Sequence, residues 1–340
     1  MGRRTELEWV RAISVAAVLM IHASSGFAAR PSRLALLGVT PAYCCNQAAR
    51  FGVPMFFLLS GLSLGLSSRS VTLPEFWLRR LRRVGLPYLG WTLFYFLTAH
   101  WHSLGTAPAL RTLQLLGRDL LLGGAASHLW FIPPLLELYL LYPLLRRLYG
   151  RTPRLTLAAG FLLSLGCTLI VVIPLPLKGW LRPHLWRLFP TWLFYFLLGM
   201  ALSSEGLDKL KAFCEKHAPP LLVLGPAGAF LYSLDSFTGG RPDSVKLQLF
   251  LYTPLVLASL LAAWKLLRRP SAEKAVSFAA KHGMTVYFNH VFLLNLLRRV
   301  SLLQRNALGM LGLFAADALL SFALAAALDA LPRLLRGKKA

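Results

Sequence analysis

An arginine and a histidine share one apolar stretch near the N-terminus: Arg11 and His22, in EWVRAISVAAVLMIHASSG. At roughly 100° per residue, eleven residues of α-helix return to almost the same face, and at about 1.5 Å per residue they separate the side chains by about 16 Å along the axis. An imidazole there can take the proton of an attacking hydroxyl as a general base. A guanidinium there can hold a phosphate-bearing ligand or offset a developing negative charge. Ionisable groups inside a bilayer are costly, so a cation near one surface and an imidazole past mid-depth are a functional signal.

Three more clusters carry polar chemistry. In FWLRRLRRVGLPYLGW, Arg79, Arg80, Arg82 and Arg83 precede an apolar run. Arg80 and Arg83 are i, i+3 and face one way on an α-helix. Their forks suit phosphate oxygens, such as those of coenzyme A; the plainer alternative is a positive-inside anchor. In SHLWFIPPLLELYLLYPLLRRL, His128 and Trp130 stand at a membrane interface, where Trp is ordinarily a belt residue. Glu137 falls mid-run, where a carboxylate is protonated, ion-paired for structure, or catalytic. In HGMTVYFNHVFLL, Tyr287 and His290 are again i, i+3, with Asn289 beside them. They either pack or line a cavity. Asp317 and Asp329 carry no assignment.

These residues must be positioned by membrane helices. The chain has 340 residues, 56% of them hydrophobic, and a mean hydropathy of +0.58. Its apolar runs predict an all-α polytopic bundle with spans at about 7–26, 50–67, 84–101, 128–145, 155–173, 189–203, 219–233, 247–264, 283–302 and 307–330. The first run lacks a cleavage site and reads as a retained helix. The segment 103–126 holds Arg111, Arg118 and Asp119, and reads as an interfacial or re-entrant piece. The net charge of +24 is spread as punctuation between apolar runs, which argues against a nucleic-acid partner. Lys and Arg concentrate in the segments that follow even-numbered spans, so both termini are expected inside. Arg298, Arg299 and Arg305 depart from that pattern, standing at the outer end of the ninth span. Adjacent Cys44 and Cys45 read as small packing residues or a vicinal disulfide. No metal-ligand spacing, nucleophile elbow, P-loop or dinucleotide fingerprint occurs, and no metal is expected. Ser60 and Gly61 read as a close helix approach.

Taken together, the clusters resemble the acyltransferase-3 family of membrane acyltransferases over nearly the whole chain. Arg11 and His22 match its Arg-x10-His first helix, residues 53–61 (VPMFFLLSG) a second block, and Arg80, Arg83 and Pro87 its Arg-x-x-Arg cluster. HLWF at 128–131 and the Tyr-x-x-His of Tyr287 and His290 match two more. The spacing from Arg83 to Pro87, Tyr88 and Trp91 is most similar to the compact branch that modifies bacterial surface polysaccharides. Glu137 departs from the family pattern, and the hydrolase-like domain that some members append is not expected here.

The resemblance implies one transmembrane acyltransferase domain over 1–340 in the bacterial plasma membrane. It would move an acyl group, acetyl above others, from acetyl-CoA to a hydroxyl of a cell-surface or lipid-linked sugar. His22 would be the general base, and Arg11 would guide the CoA end or stabilise negative charge. Arg80 and Arg83 would hold CoA phosphates. His128, Trp130, Glu137, Tyr287 and His290 would line the acceptor end. Membrane lipids and the sugar or polysaccharide acceptor are the expected partners. The competing class is an exporter or flippase of such sugars, which has no need of a CoA site; a third is an acyltransferase acting on lipids or proteins.

Overall fold

Apolar runs punctuated by proline and capping residues fold here as helices, and among the described residues there is no strand. The computed structural model describes residues 4–28, 40–67, 72–103, 108–173, 181–203, 205–233 and 244–337. The helices are α1 (Thr5–Ala28), α2 (Pro41–Ala48), α3 (Gly52–Gly65), α4 (Leu73–Arg80), α5 (Leu86–His100), α6 (Ala109–Leu122), α7 (Ile132–Arg151), α8 (Pro153–Val172), α9 (Leu181–His184), α10 (Leu193–Ala201), α11 (Glu205–Lys216), α12 (Ala218–Ser233), α13 (Leu249–Leu267), α14 (Pro270–Leu297) and α15 (Ala307–Gly337). Five helices among the described residues are long and apolar enough to cross a membrane: Thr5–Phe27, Pro41–Gly65, Pro153–Val172, Leu249–Leu267 and Ala307–Leu331. The chain is therefore an all-helical, multi-pass membrane protein.

Local chemistry explains the boundaries. Thr40 caps α2, its hydroxyl accepting from the Tyr43 amide at 3.1 Å, with Pro41 in the first turn. The helix thus begins nine residues before the apolar run that predicted it, and continues through a single 3-10 turn into α3. Thr72 caps α4 in the same way. Pro270 opens α14, whose early turns are polar, so this helix starts well before residue 283 and ends at Leu297 rather than 302. Gly123, at φ 64°, closes α6 in the left-handed region that favours glycine. Arg111 and Arg118 on α6 are exposed, as an interfacial amphipathic piece requires.

The chain forms two compact units. One comprises Met1–Phe56, Leu207–Ser244 and Gln248–Ala340; the other comprises Phe57–Gly206 and Val245–Leu247. In the first, α1 packs against α2, α14 and α15, and α12 against α13. Ion pairs Arg4–Asp208 (3.2 Å) and Lys211–Glu6 (3.4 Å) tie the start of α1 to α11. In the second, α8 packs on α7 and α10. Here α3 and α10 meet at Gly61 and Gly199. A Cβ on Gly61 would collide with the Phe196 carbonyl, and one on Gly199 with the Leu58 carbonyl. Small residues permit such approach where lipid supplies no drive for helices to associate, as expected of the Ser60–Gly61 stretch.

Candidate functional site

His22 and His290 face each other. Their ring centroids lie 5.1 Å apart with the planes tilted by 58°. The pair sits in a polar layer of the first unit, sealed above and below by apolar clusters. On one side Ala23 of α1, Leu294 of α14 and Leu313 of α15 pack together. On the other, Leu19, Val286 and Ala325 of the same helices do so. Between these seals lie His22, Asn289, His290, Asp317 and Ser321. The 3.6-residue period lets each helix put one polar turn between two apolar ones.

Hydrogen bonds fix the layer. Nδ1 of His290 lies 2.7 Å from the Tyr287 carbonyl and 3.2 Å from that of Val286. Carbonyls only accept, so Nδ1 donates, and in neutral His290 the lone pair sits on Nε2. Asn289 Nδ2 donates to the Ser321 carbonyl at 3.2 Å, and Ser321 Oγ to Asp317 Oδ1 at 3.2 Å. Asn289, His290, Asp317 and Ser321 are all fully buried. Tyr287 is buried beside His290, ring centroids 6.1 Å apart.

The turn of α1 that carries His22 is gripped from two directions. Asn46 Nδ2 donates to the Ile21 carbonyl at 2.9 Å and to Ser24 Oγ at 3.0 Å. The Asn46 amide oxygen in turn accepts from Arg50 Nε and Nη2, at 3.1 and 2.6 Å. From the end of α14, Arg298 Nη2 donates to the His22 carbonyl at 2.6 Å and to Ser25 Oγ at 3.1 Å. Arg11 lies partly buried about three turns earlier on α1.

The second unit holds the other expected residues. Arg80 is half-buried, its guanidinium over the rings of Phe76 (5.4 Å) and Tyr139 (5.1 Å). Its Nε is buried and has no hydrogen-bond partner among the described residues. Residues Leu81–Gly85 form a π-helical turn, so the α-helical register relating Arg80 to Arg83 does not hold: Arg83 is exposed. Single π turns inserted in α-helices are frequent at functional sites. His128 is buried against Tyr95, ring centroids 5.3 Å apart. Trp130 joins an aromatic cluster with Trp186 (4.7 Å) and Trp192 (5.5 Å). Glu137 Oε2 accepts from the Phe189 amide at 2.8 Å, satisfying the start of the 3-10 turn Phe189–Trp192. Cys44 and Cys45 are free thiols, not a vicinal disulfide.

Sequence reasoning did not single out Asn46, Arg50 or Arg298 as neighbours of His22. The available signal was an Asn and an Arg four residues apart just before VPMFFLLSG, and an arginine group on the wrong side of a charge pattern.

Residues 4–329 match the acyltransferase domain family. The chain belongs to the acyltransferase-3 family of membrane acyltransferases. No curated protein and no solved structure matches it.

Proposed function

We propose that the protein is a plasma-membrane O-acetyltransferase, one domain of ten spans with both termini cytoplasmic. It takes acetyl from acetyl-CoA on the cytoplasmic side and delivers it to a hydroxyl of a cell-surface or lipid-linked sugar. The observation that carries this reading is the facing pair His22 and His290, held in a sealed polar layer of a chain from this family.

In this reading His22 takes the proton of the sugar hydroxyl as its oxygen bonds the acyl carbon. The carbon–sulfur bond breaks, and the proton passes to the departing thiolate, so atoms and charge balance. His290, locked by the carbonyls of Tyr287 and Val286, orients this side of the site. Arg11 offsets negative charge on the donor side. The buried, unpartnered Nε of Arg80 suits a phosphate oxygen, and exposed Arg83 would take a second in this reading. His128, Trp130 and Glu137 of the second unit and Tyr287 of the first are the residues assigned to the sugar in this reading.

Calorimetry on the detergent-purified protein tests the donor. Micromolar acetyl-CoA binding is expected, lost in an Arg80→Ala/Arg83→Ala double variant. A folded protein that does not bind acetyl-CoA would overturn the reading in favour of sugar export.

A further inference from the structure

The His22 turn lies beside arginines that an N-in, C-in topology would not put on the outer face. Outer segments are ordinarily poor in Lys and Arg, yet Arg298, Arg299 and Arg305 cluster where α14 ends and α15 begins. The connection folds back on itself: Gln304 Nε2 donates to the Arg298 carbonyl at 2.7 Å, which brings the neighbour of Arg305 to the helix end.

Among the described residues, Arg298 is bound by neutral acceptors: the His22 carbonyl, Ser25 Oγ and Asn295 Oδ1. The acid whose charge bears on it is Asp317, which does not touch it. Asp317 is buried inside the polar layer, whereas Arg298 is half-exposed at its edge. Arg299 and Arg305 are exposed and make no side-chain hydrogen bond or ion pair among the described residues. Three guanidinium groups against one remote carboxylate leave a net positive patch, one member of which is in hydrogen-bond contact with the backbone of His22.

We propose that Arg298, Arg299 and Arg305 form an anion-binding subsite, and that it takes a phosphate carried by the acceptor. This inference rests on the acyl-transfer reading for the word acceptor; the anion site itself does not. A guanidinium fork already fixed by neutral partners keeps its remaining N–H groups for a phosphate oxygen and loses little conformational freedom in binding it. A phosphate on Arg298 would be delivered next to the His22 turn. A sugar phosphate and a phospholipid headgroup share this chemistry.

Binding is measured on the full chain in detergent, with N-acetylglucosamine 1-phosphate and neutral N-acetylglucosamine as probes. Donor-site binding is removed by working in the Arg80→Ala/Arg83→Ala background. The phosphorylated sugar should bind at least about tenfold more tightly than the neutral one, with an affinity that falls as salt rises. Arg298→Gln/Arg305→Gln should abolish that preference, while Arg298→Lys/Arg305→Lys, which keeps the charge and guards against misfolding, should retain most of it. Equal binding of the two sugars, or a preference that survives the Gln variant, would overturn the proposal. Displacement of the sugar phosphate by phosphatidylglycerol but not phosphatidylcholine vesicles would support the anion site and assign it to a lipid headgroup. Acetyl transfer is scored on the parent protein with Arg80 and Arg83 intact, so phosphate-selective binding without transfer by the parent would sink the acyltransferase reading and leave the anion site standing.

Discussion

The two units treat their buried polar residues in opposite ways. In the first, His22 and His290 present their rings to each other, while Arg298 grips the His22 carbonyl and the Tyr287 carbonyl holds His290 Nδ1. In the second, the expected residues serve the scaffold or rest on aromatic surfaces, and only Nε of Arg80 is singled out for a ligand. Glu137 holds a backbone amide, Arg80 rests between two rings, and His128 packs edge-on against Tyr95. The difference teaches where to look for proton transfer. A base is sought where two imidazole rings face each other inside a polar layer, and the first unit holds that pair.

The sharpest way to break this contrast is to remove the ring of His22. His22→Ala should lower acetyl transfer by roughly 10²–10⁴-fold, the usual worth of a general base, with the melting temperature nearly unchanged. Transfer at the wild-type rate from normally produced protein would show that the first unit does not hold the base.

Asn46 is the next test, because it couples stability to the same turn. Asn46→Ala strips the acceptor from two Arg50 donors and frees the Ile21 carbonyl and Ser24 hydroxyl. Taking this acceptor from a buried guanidinium, which keeps its 3.0 Å bond to Ser244 Oγ, should cost about 2–3 kcal/mol. Thermal unfolding in detergent would register this as a clear drop, with transfer slowed in the protein that remains folded. An unchanged melting temperature would mean that Arg298 and packing hold the turn without Asn46.

Glu137 sharpens the comparison from the other side. Gln retains an oxygen that can accept from the Phe189 amide, so Glu137→Gln should cost less than about 0.5 kcal/mol, while Glu137→Ala should cost about 1–2 kcal/mol. If Gln proves as damaging as Ala, the charge rather than the hydrogen bond matters, and Glu137 moves into the class of His22.

How much of this was legible follows from the same contrast. Apolar runs located the helices, and Arg11, His22, Tyr287 and His290 stood out because ionisable or ring-polar groups interrupt apolar runs there. That His22 and His290, 268 positions apart in numbering, would meet has no sequence signature, since helix pairing is decided by packing. The partner of Glu137 is a backbone amide, which every residue but proline carries and which no residue type announces. The π turn at Leu81–Gly85 likewise follows from no residue type, so the i, i+3 face expected of Arg80 and Arg83 dissolves there. Arg298 was visible only as a violation of a charge rule. Patterns that the helical period repeats are legible; single contacts between distant backbones are not.

The smallest expected effect concerns Asp119 on α6, outside the membrane spans. Burial raises its carboxyl above the ordinary carboxylate range, against the charges of His100, Arg118 and Arg187, which lower it. A raised carboxyl binds its proton more tightly folded than unfolded. Its contribution therefore favours the fold at pH below the ordinary carboxylate value and is lost as pH rises through the folded value. Asp119→Asn is neutral throughout and escapes that loss. It should melt slightly higher than the parent near neutral pH, by no more than about 0.5 kcal/mol after solvent screening, and identically in acid. A gap that persists unchanged into acid would mean that shape rather than charge separates the two side chains.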